Sequence, residues 1–190
     1  FLKQDLLELP AEERARLVGN SFAGLVGFEL VATTPERVAT LTTFGTTAQL
    51  RSSAALEWTV RAIVRVLGTT VTGRLAGRAA ANRDVGRTIA SLMAEADRRA
   101  VELVSHDIAT YDYTAALRRS AVPWLLLRGE LDRGINRTLD STLAVIEARP
   151  DAHVVELEAA GHFANLERPT AFDDALETFL QRHVAPPGDG

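Results

Sequence analysis

Three polar residues stand where a hydroxyl, a carboxylate and an imidazole could work together: Ser21 in GNSFAG (19–24), Asp132 in GELDR (129–133) and His162 in GHF (161–163). A serine hydroxyl is too weak an acid to attack a carbonyl unless a base removes its proton during the attack. An imidazole titrating near neutrality can take that proton and return it to a leaving group. A carboxylate on the far ring nitrogen fixes the tautomer and stabilises the imidazolium. Ser21 also follows Gly19 by two residues, as in the G-x-S-x-G turn that lifts a nucleophile out of a strained strand-to-helix bend. The last position of that pattern is Ala23 here, one methyl larger than glycine, and Gly24 keeps the helix face slim. A helix beginning at residue 22 would aim unpaired N–H groups at a developing oxyanion. The same residues have plainer readings. Ser21 is a favoured helix cap, Asp132 could be a turn residue, and Glu130, two positions away, is a rival acid.

The surrounding elements decide whether the three can meet. LKQDLLEL (2–9) puts Leu2, Leu6, Leu7 and Leu9 on one helical face that Pro10 ends. ARLVG (15–19) reads as a short buried strand, 21–33 as a helix stopped by Pro35, and VATLTTF (38–44) as a β-branched strand closing on Gly45-Thr46-Thr47. From 48 to 119 the pattern is helical only, with Leu56, Val60, Ile63, Val64 and Leu67 at helical spacing and again Ile89, Leu92, Met93 and Ala96. Gly68, Gly73 and Gly77 break this block into short pieces. WLLLRG (124–129) is then a fully apolar strand, 137–148 a helix and VVELE (154–158) a strand. A last amphipathic helix turns Phe172, Leu176, Phe179 and Leu180 inward, with Asn165 a candidate cap and Pro169 in its first turn. Strand–helix alternation implies a parallel sheet. Ligands bind beyond the carboxyl ends of such strands, and Ser21, Asp132 and His162 follow three of those ends.

The composition narrows the partners. With 190 residues, 46% hydrophobic and 24% charged, the chain can bury a core of its own. A net charge of −4 and a pI near 5.6 give no footprint for nucleic acid. No apolar run is long enough to span a membrane. The absence of cysteine excludes disulfides, a thiol nucleophile and thiolate metal sites, and permits a reducing cytoplasm. No metal-ligand cluster or phosphate loop is visible, so no cofactor or metal is implied. The expected partner is a small-molecule substrate, and the sequence leaves the oligomeric state open, a homodimer included. His153 and His183 read as surface residues, and His106 as structural or solvent-facing. Asn20, Trp124 and Phe163 are candidate pocket residues, with Asp107, Tyr111, Asp112 and Tyr113 where the helical block returns to the sheet.

GNSFAG, TPERVATL (34–41), VPWLLLRGELD (122–132) and EAAGHFANLERPTAF (158–172), in the order Ser…Asp…His, resemble the α/β-hydrolase superfamily. The likeness is strongest to its cap-bearing bacterial esterases, enol-lactonases and carbon–carbon bond hydrolases. It implies an α/β fold, a parallel-sheet core at 1–47 and 120–184, a helical cap at 48–119 and a disordered tail at 185–190. It makes Ser21 the nucleophile, Asp132 the triad acid, His162 the base and the Phe22 N–H an oxyanion-hole donor. The strand at 38–44 ends without a carboxylate, which leaves the acid position of some relatives empty and favours Asp132. The implied activity is a serine hydrolase that cleaves a small ester, lactone or activated ketone through an acyl-enzyme. The cap's apolar faces favour a hydrophobic acyl or aromatic substrate. The alternatives are a thioesterase and a non-catalytic or truncated relative. Family members place four strands before the nucleophile strand, whereas 20 residues precede Ser21, so a longer parent protein is expected, with its N-terminal leader not open to judgement.

Overall fold

A computed structural model describes residues 10, 13–51, 66, 68–107 and 110–183, except the side chains of 102, 103 and 105–107. The helix expected at 2–9, the apolar face at 56–67 (residue 66 apart), and the tail at 185–190 lie outside the described residues, as do Trp58 and the side chains of His106 and Asp107. The chain opens with strand β1 (Ala15–Asn20), helix α1 (Phe22–Thr33), a 3-10 turn (Pro35–Arg37), strand β2 (Val38–Phe44) and strand β3 (Gln49–Arg51). Residues 68–76 are helical, and a 3-10 turn (Gly77–Ala79), helix α2 (Arg83–Ala94), helix α3 (Arg98–Asp107) and strand β4 (Thr110–Asp112) follow. The last third contains α4 (Thr114–Arg119), β5 (Trp124–Gly129), α5 (Arg133–Asn136), α6 (Asp140–Glu147), β6 (Ala152–Leu157), α7 (Ala164–Glu167) and α8 (Pro169–His183).

Strands β1, β2, β5 and β6 form one parallel sheet in that order. The register pairs Asn20 with Phe44, Phe44 with Leu127 and Gly129 with Leu157, so the four carboxyl ends share one edge. β5 is apolar from Trp124 to Leu127, where both of its faces are covered, and Arg128 beyond them pairs with Glu156 of β6 (3.4 Å). Trp124 and Leu126 pack with Phe28 and Val31 of α1, Leu41 of β2 and Val145 of α6. Leu125 and Leu127 point the other way, onto Phe172 and Phe179 of α8, as the two-residue period of a strand requires. The outer strands are less buried than expected. Val18 of β1 is 48% exposed and Val154 of β6 is 43% exposed, and among the described residues each of these strands pairs with one other.

Four further expectations change. The 48–119 block is not helical throughout, because β3 and β4 pair antiparallel, Leu50 opposite Tyr111, and so join its two ends. Gly73 does not break its helix but packs it. A Cβ there would lie 2.8 Å from both the Ala90 carbonyl oxygen and the Met93 Cβ of α2. The helix read at 137–148 is α6, beginning at Asp140, and the separate short α5 precedes it, where Asp132 accepts from the Ile135 N–H (3.4 Å) and Asn136 Nδ2 donates back to the Gly129 carbonyl (2.9 Å). These bonds fold 133–136 beneath the end of β5. Asn165 sits inside α7 rather than capping α8, whereas Pro169 does open that helix.

Candidate active site

Ser21 occupies the bend between β1 and α1 with φ 52° and ψ −117°, a conformation costly for any residue with a side chain. It stands at the cap position of α1, yet its side chain makes no capping hydrogen bond. The plain-cap reading therefore lacks the contact that would explain the residue. Two features hold the bend. The Ser21 N–H donates to the Phe44 carbonyl (2.9 Å). A Cβ on Gly19 would lie 2.6 Å from the carbonyl carbon and oxygen of Ala23, so only glycine lets the strand and helix approach this closely. Phe22 is the first residue of α1, where a backbone N–H has no intrahelical acceptor.

Asp132 and His162 meet. Asp132 Oδ2 lies 2.8 Å from His162 Nδ1, with side chains 8% and 14% exposed. A carboxylate only accepts, so this contact places the proton on Nδ1 and leaves the Nε2 lone pair free in the neutral ring. The rival Glu130 turns elsewhere, its Oε2 accepting from the Ala159 N–H (2.8 Å). Ala159 takes a positive φ of 56°, which turns the chain after β6 towards His162. The His162 backbone is anchored on both sides, with its N–H donating to the Ala79 carbonyl (3.2 Å) and its own carbonyl accepting from Asn20 Nδ2 (2.9 Å). The imidazole meets the Phe163 ring edge-on at 5.0 Å.

Ser21 and His162 both line a cavity of about 600 Å3. Its far wall comes from the helical block, including Ile89, Leu92 and Met93 of α2 and Val101 and Val104 of α3. Among the described lining residues none is Asp, Glu, Lys or Arg. Phe22 and Phe163 also border it, as does Asn20, whose amide is already engaged with His162 and with the Phe44 carbonyl (3.3 Å). Trp124 requires a correction. It is fully buried, packs edge-on against Phe28 at 5.4 Å and donates from Nε1 to Thr43 Oγ1 (2.9 Å). As the first residue of β5 it lies at the end of the strand opposite Gly129, so it is core and not pocket.

The other candidates lie aside. Tyr111 and Tyr113 border a separate cleft with Phe22 and Glu29. Burial pushes the Tyr111 phenol up to about 12, against the opposing hydrogen bond to Thr46. Asp112 accepts from the hydroxyl and N–H of Thr114 and from Gln49 Nε2, bonds that hold its carboxyl below the usual range. It fastens the β3–β4 ribbon. His153 and His183 stack on each other at 6.4 Å, and burial, with the His153 charge adding to it, lowers the His183 pKa. They form a partly buried pair rather than two surface residues. Two contributors escaped the sequence reading. Gly45, at φ 60°, brings the end of β2 so close that a Cβ would lie 3.0 Å from His162 Cε1. Glu167 accepts from backbone groups of the helical block and of the turn before His162. A turn signal hinted at the first, and nothing local marks the second.

Comparison with known proteins places these features in context. Residues 2–175 match the profile of the Alpha/beta hydrolase family. Among solved structures, a thermophilic esterase from Thermogutta terrifontis superposes with a TM-score of 0.82 at 22% identity, covering 96% of this chain and 71% of that one. A bromoperoxidase from Bacillus anthracis gives 0.81 at 20% identity, covering 95% and 71%. The enol-lactonase from Burkholderia xenovorans LB400 gives 0.74 at 22%, covering 88% and 66%. At these identities the likeness is one of fold. No functionally curated protein matches the sequence. Among the described residues no helix is long and apolar enough to cross a membrane.

Proposed function

We infer the chemistry from the premise that the chain belongs to the alpha/beta hydrolase family: it is a serine hydrolase whose nucleophile is Ser21, whose base is His162 and whose orienting acid is Asp132. The observation that carries this reading is the 2.8 Å Asp132–His162 contact beside the cavity that Ser21 also lines. Ser21 Oγ attacks the substrate carbonyl while His162 Nε2 takes its proton. The negative charge that gathers on the carbonyl oxygen is met by the Phe22 N–H at the start of α1. The imidazolium, steadied by Asp132 Oδ2, returns the proton to the leaving group as the tetrahedral adduct collapses to an acyl-enzyme. A water molecule, activated by the same nitrogen, then frees the acid and restores Ser21.

Residues 48–119 act in this scheme as the cap that shapes specificity. The uncharged lining favours a neutral substrate with an apolar acyl or aromatic part: an ester, a lactone or an activated ketone cleaved at a carbon–carbon bond. The esterase and enol-lactonase among the structural neighbours carry names that agree with acyl transfer. The test is covalent labelling of the full chain with a fluorophosphonate probe, followed by peptide mapping. Label on Ser21, abolished by Ser21→Ala, supports the assignment, whereas label on any other residue, or none on the folded protein, defeats it.

A further inference from the structure

Glu167 joins two segments that each lend a residue to the cavity lining, Ala79 from one and His162 from the other. Its Oε1 accepts from the backbone N–H groups of Ala81 and of Asn82 (3.3 Å), which lead into α2. Its Oε2 accepts from the N–H of Gly161, the residue before His162. The two segments are about as close as backbones can come, since a Cβ on Gly161 would lie 2.8 Å from the Ala81 nitrogen and 3.0 Å from the Ala79 oxygen. That same Ala79 oxygen accepts from the His162 N–H (3.2 Å), and Ala79 itself lines the cavity. Glu167 is held in turn by α7, where its N–H donates to the Phe163 carbonyl (3.0 Å). One carboxylate thus satisfies three donors drawn from the helical block and from the histidine turn, a charge-assisted arrangement stronger than its neutral counterpart.

We propose that Glu167 is a positioning residue that seats the 79–82 segment on the His162 turn, so that the cavity wall and the imidazole are aligned as one unit. Released from Glu167, the 79–82 segment would withdraw the acceptor of the His162 N–H and let the ring turn on Asp132. The proposal rests on the base role of His162 for its kinetic consequence, but its structural claim is read separately. Glu167→Gln keeps the size while replacing one acceptor oxygen with an NH2 that repels a backbone N–H. Ala81→Pro removes one donor from the opposite side. The preceding Ala80, at φ −72° and ψ 137°, already has the backbone that a following proline demands.

Three measurements on the full chain decide the matter: the low-field proton resonance of His162 Nδ1–H, amide exchange at Gly161 and Asn82, and kcat per site titrated with a phosphonate. Each variant should displace or abolish the resonance, speed exchange at least tenfold and lower kcat per titrated site at least tenfold. The double variant should be no worse than about twofold beyond the poorer single, since both cut one clamp. A purely structural role would lower the number of titratable sites and leave the turnover of each unchanged. An unmoved resonance, or turnover per site within twofold of the parent, overturns the proposal. If the parent chain neither labels nor hydrolyses, the serine-hydrolase reading fails, and the resonance and exchange data alone decide the role of Glu167.

Discussion

Asp132→Asn perturbs the site without altering its shape. The Ile135 N–H donates to Asp132 Oδ1, so the new amide keeps its oxygen there and turns its NH2 towards His162 Nδ1, where Oδ2 stood at 2.8 Å. That nitrogen must then accept, which moves the ring proton to Nε2 and removes the lone pair that would deprotonate Ser21. Two losses combine. A carboxylate and an imidazolium about 4 Å apart attract by about 4 kcal/mol at an effective dielectric constant near 20. Regaining the productive tautomer breaks a hydrogen bond worth about 1 kcal/mol. A total of about 5 kcal/mol corresponds to a fall in kcat of between 10^3 and 10^4, at roughly 1.4 kcal/mol per decade. The assay is steady-state hydrolysis of a chromogenic short-chain ester by the full chain, with thermal unfolding as the control for folding. A loss under tenfold in a protein that melts like the parent would refute the assignment of Asp132.

Gly19→Ala places a methyl 2.6 Å from the Ala23 backbone, which cannot swing aside. We expect a cost of about 1–3 kcal/mol in calorimetric stability and phosphonate labelling of Ser21 slower by on the order of a hundredfold. Trp124→Phe removes the bond to Thr43 Oγ1, neither residue lining the cavity. It should cost about 1–3 kcal/mol by denaturant titration with ester turnover within twofold of the parent, and a specific activity defect would restore Trp124 to the pocket. Burial raises the Tyr111 pKa from 10.0 to about 12, so the folded state holds its proton longer than the unfolded chain. Its contribution to stability is complete below pH 10 and is lost as pH climbs towards about 12. Tyr111→Phe should flatten that decline in a pH series of melting curves.

Much of this architecture could be read from the chain because its signals are local. β5 announces itself through four consecutive large apolar residues that need cover on both faces, and β2 through β-branched residues. The rule that ligands gather at carboxyl ends of parallel strands directed attention to Ser21, Asp132 and His162. The same rule excludes Trp124, which begins its strand, and the size of an aromatic ring was a poor substitute for that reasoning. β3 and β4 were missed because three residues each, paired across 59 to 63 positions, leave no periodicity. Glu167 was missed for a related reason. Its partners Ala81 and Asn82 lie 86 and 85 positions away and present backbone groups that carry no sequence signature. Gly73 was misjudged because a glycine in a helix can serve contact as well as interruption.

The β3–β4 ribbon has a consequence for how such a molecule could be altered. Leu50 and Tyr111 face each other across one ladder, so the chain leaves the sheet and rejoins it at neighbouring points roughly 5 Å apart. Strand ends placed that way do not register the length of whatever excursion lies between them. A shorter connector or a transplanted one could bridge the same gap while the nucleophile bend and the histidine turn keep their places. Such a graft would have to reproduce two tethers: a pair of backbone amides facing a single carboxylate, and a carbonyl facing the His162 N–H.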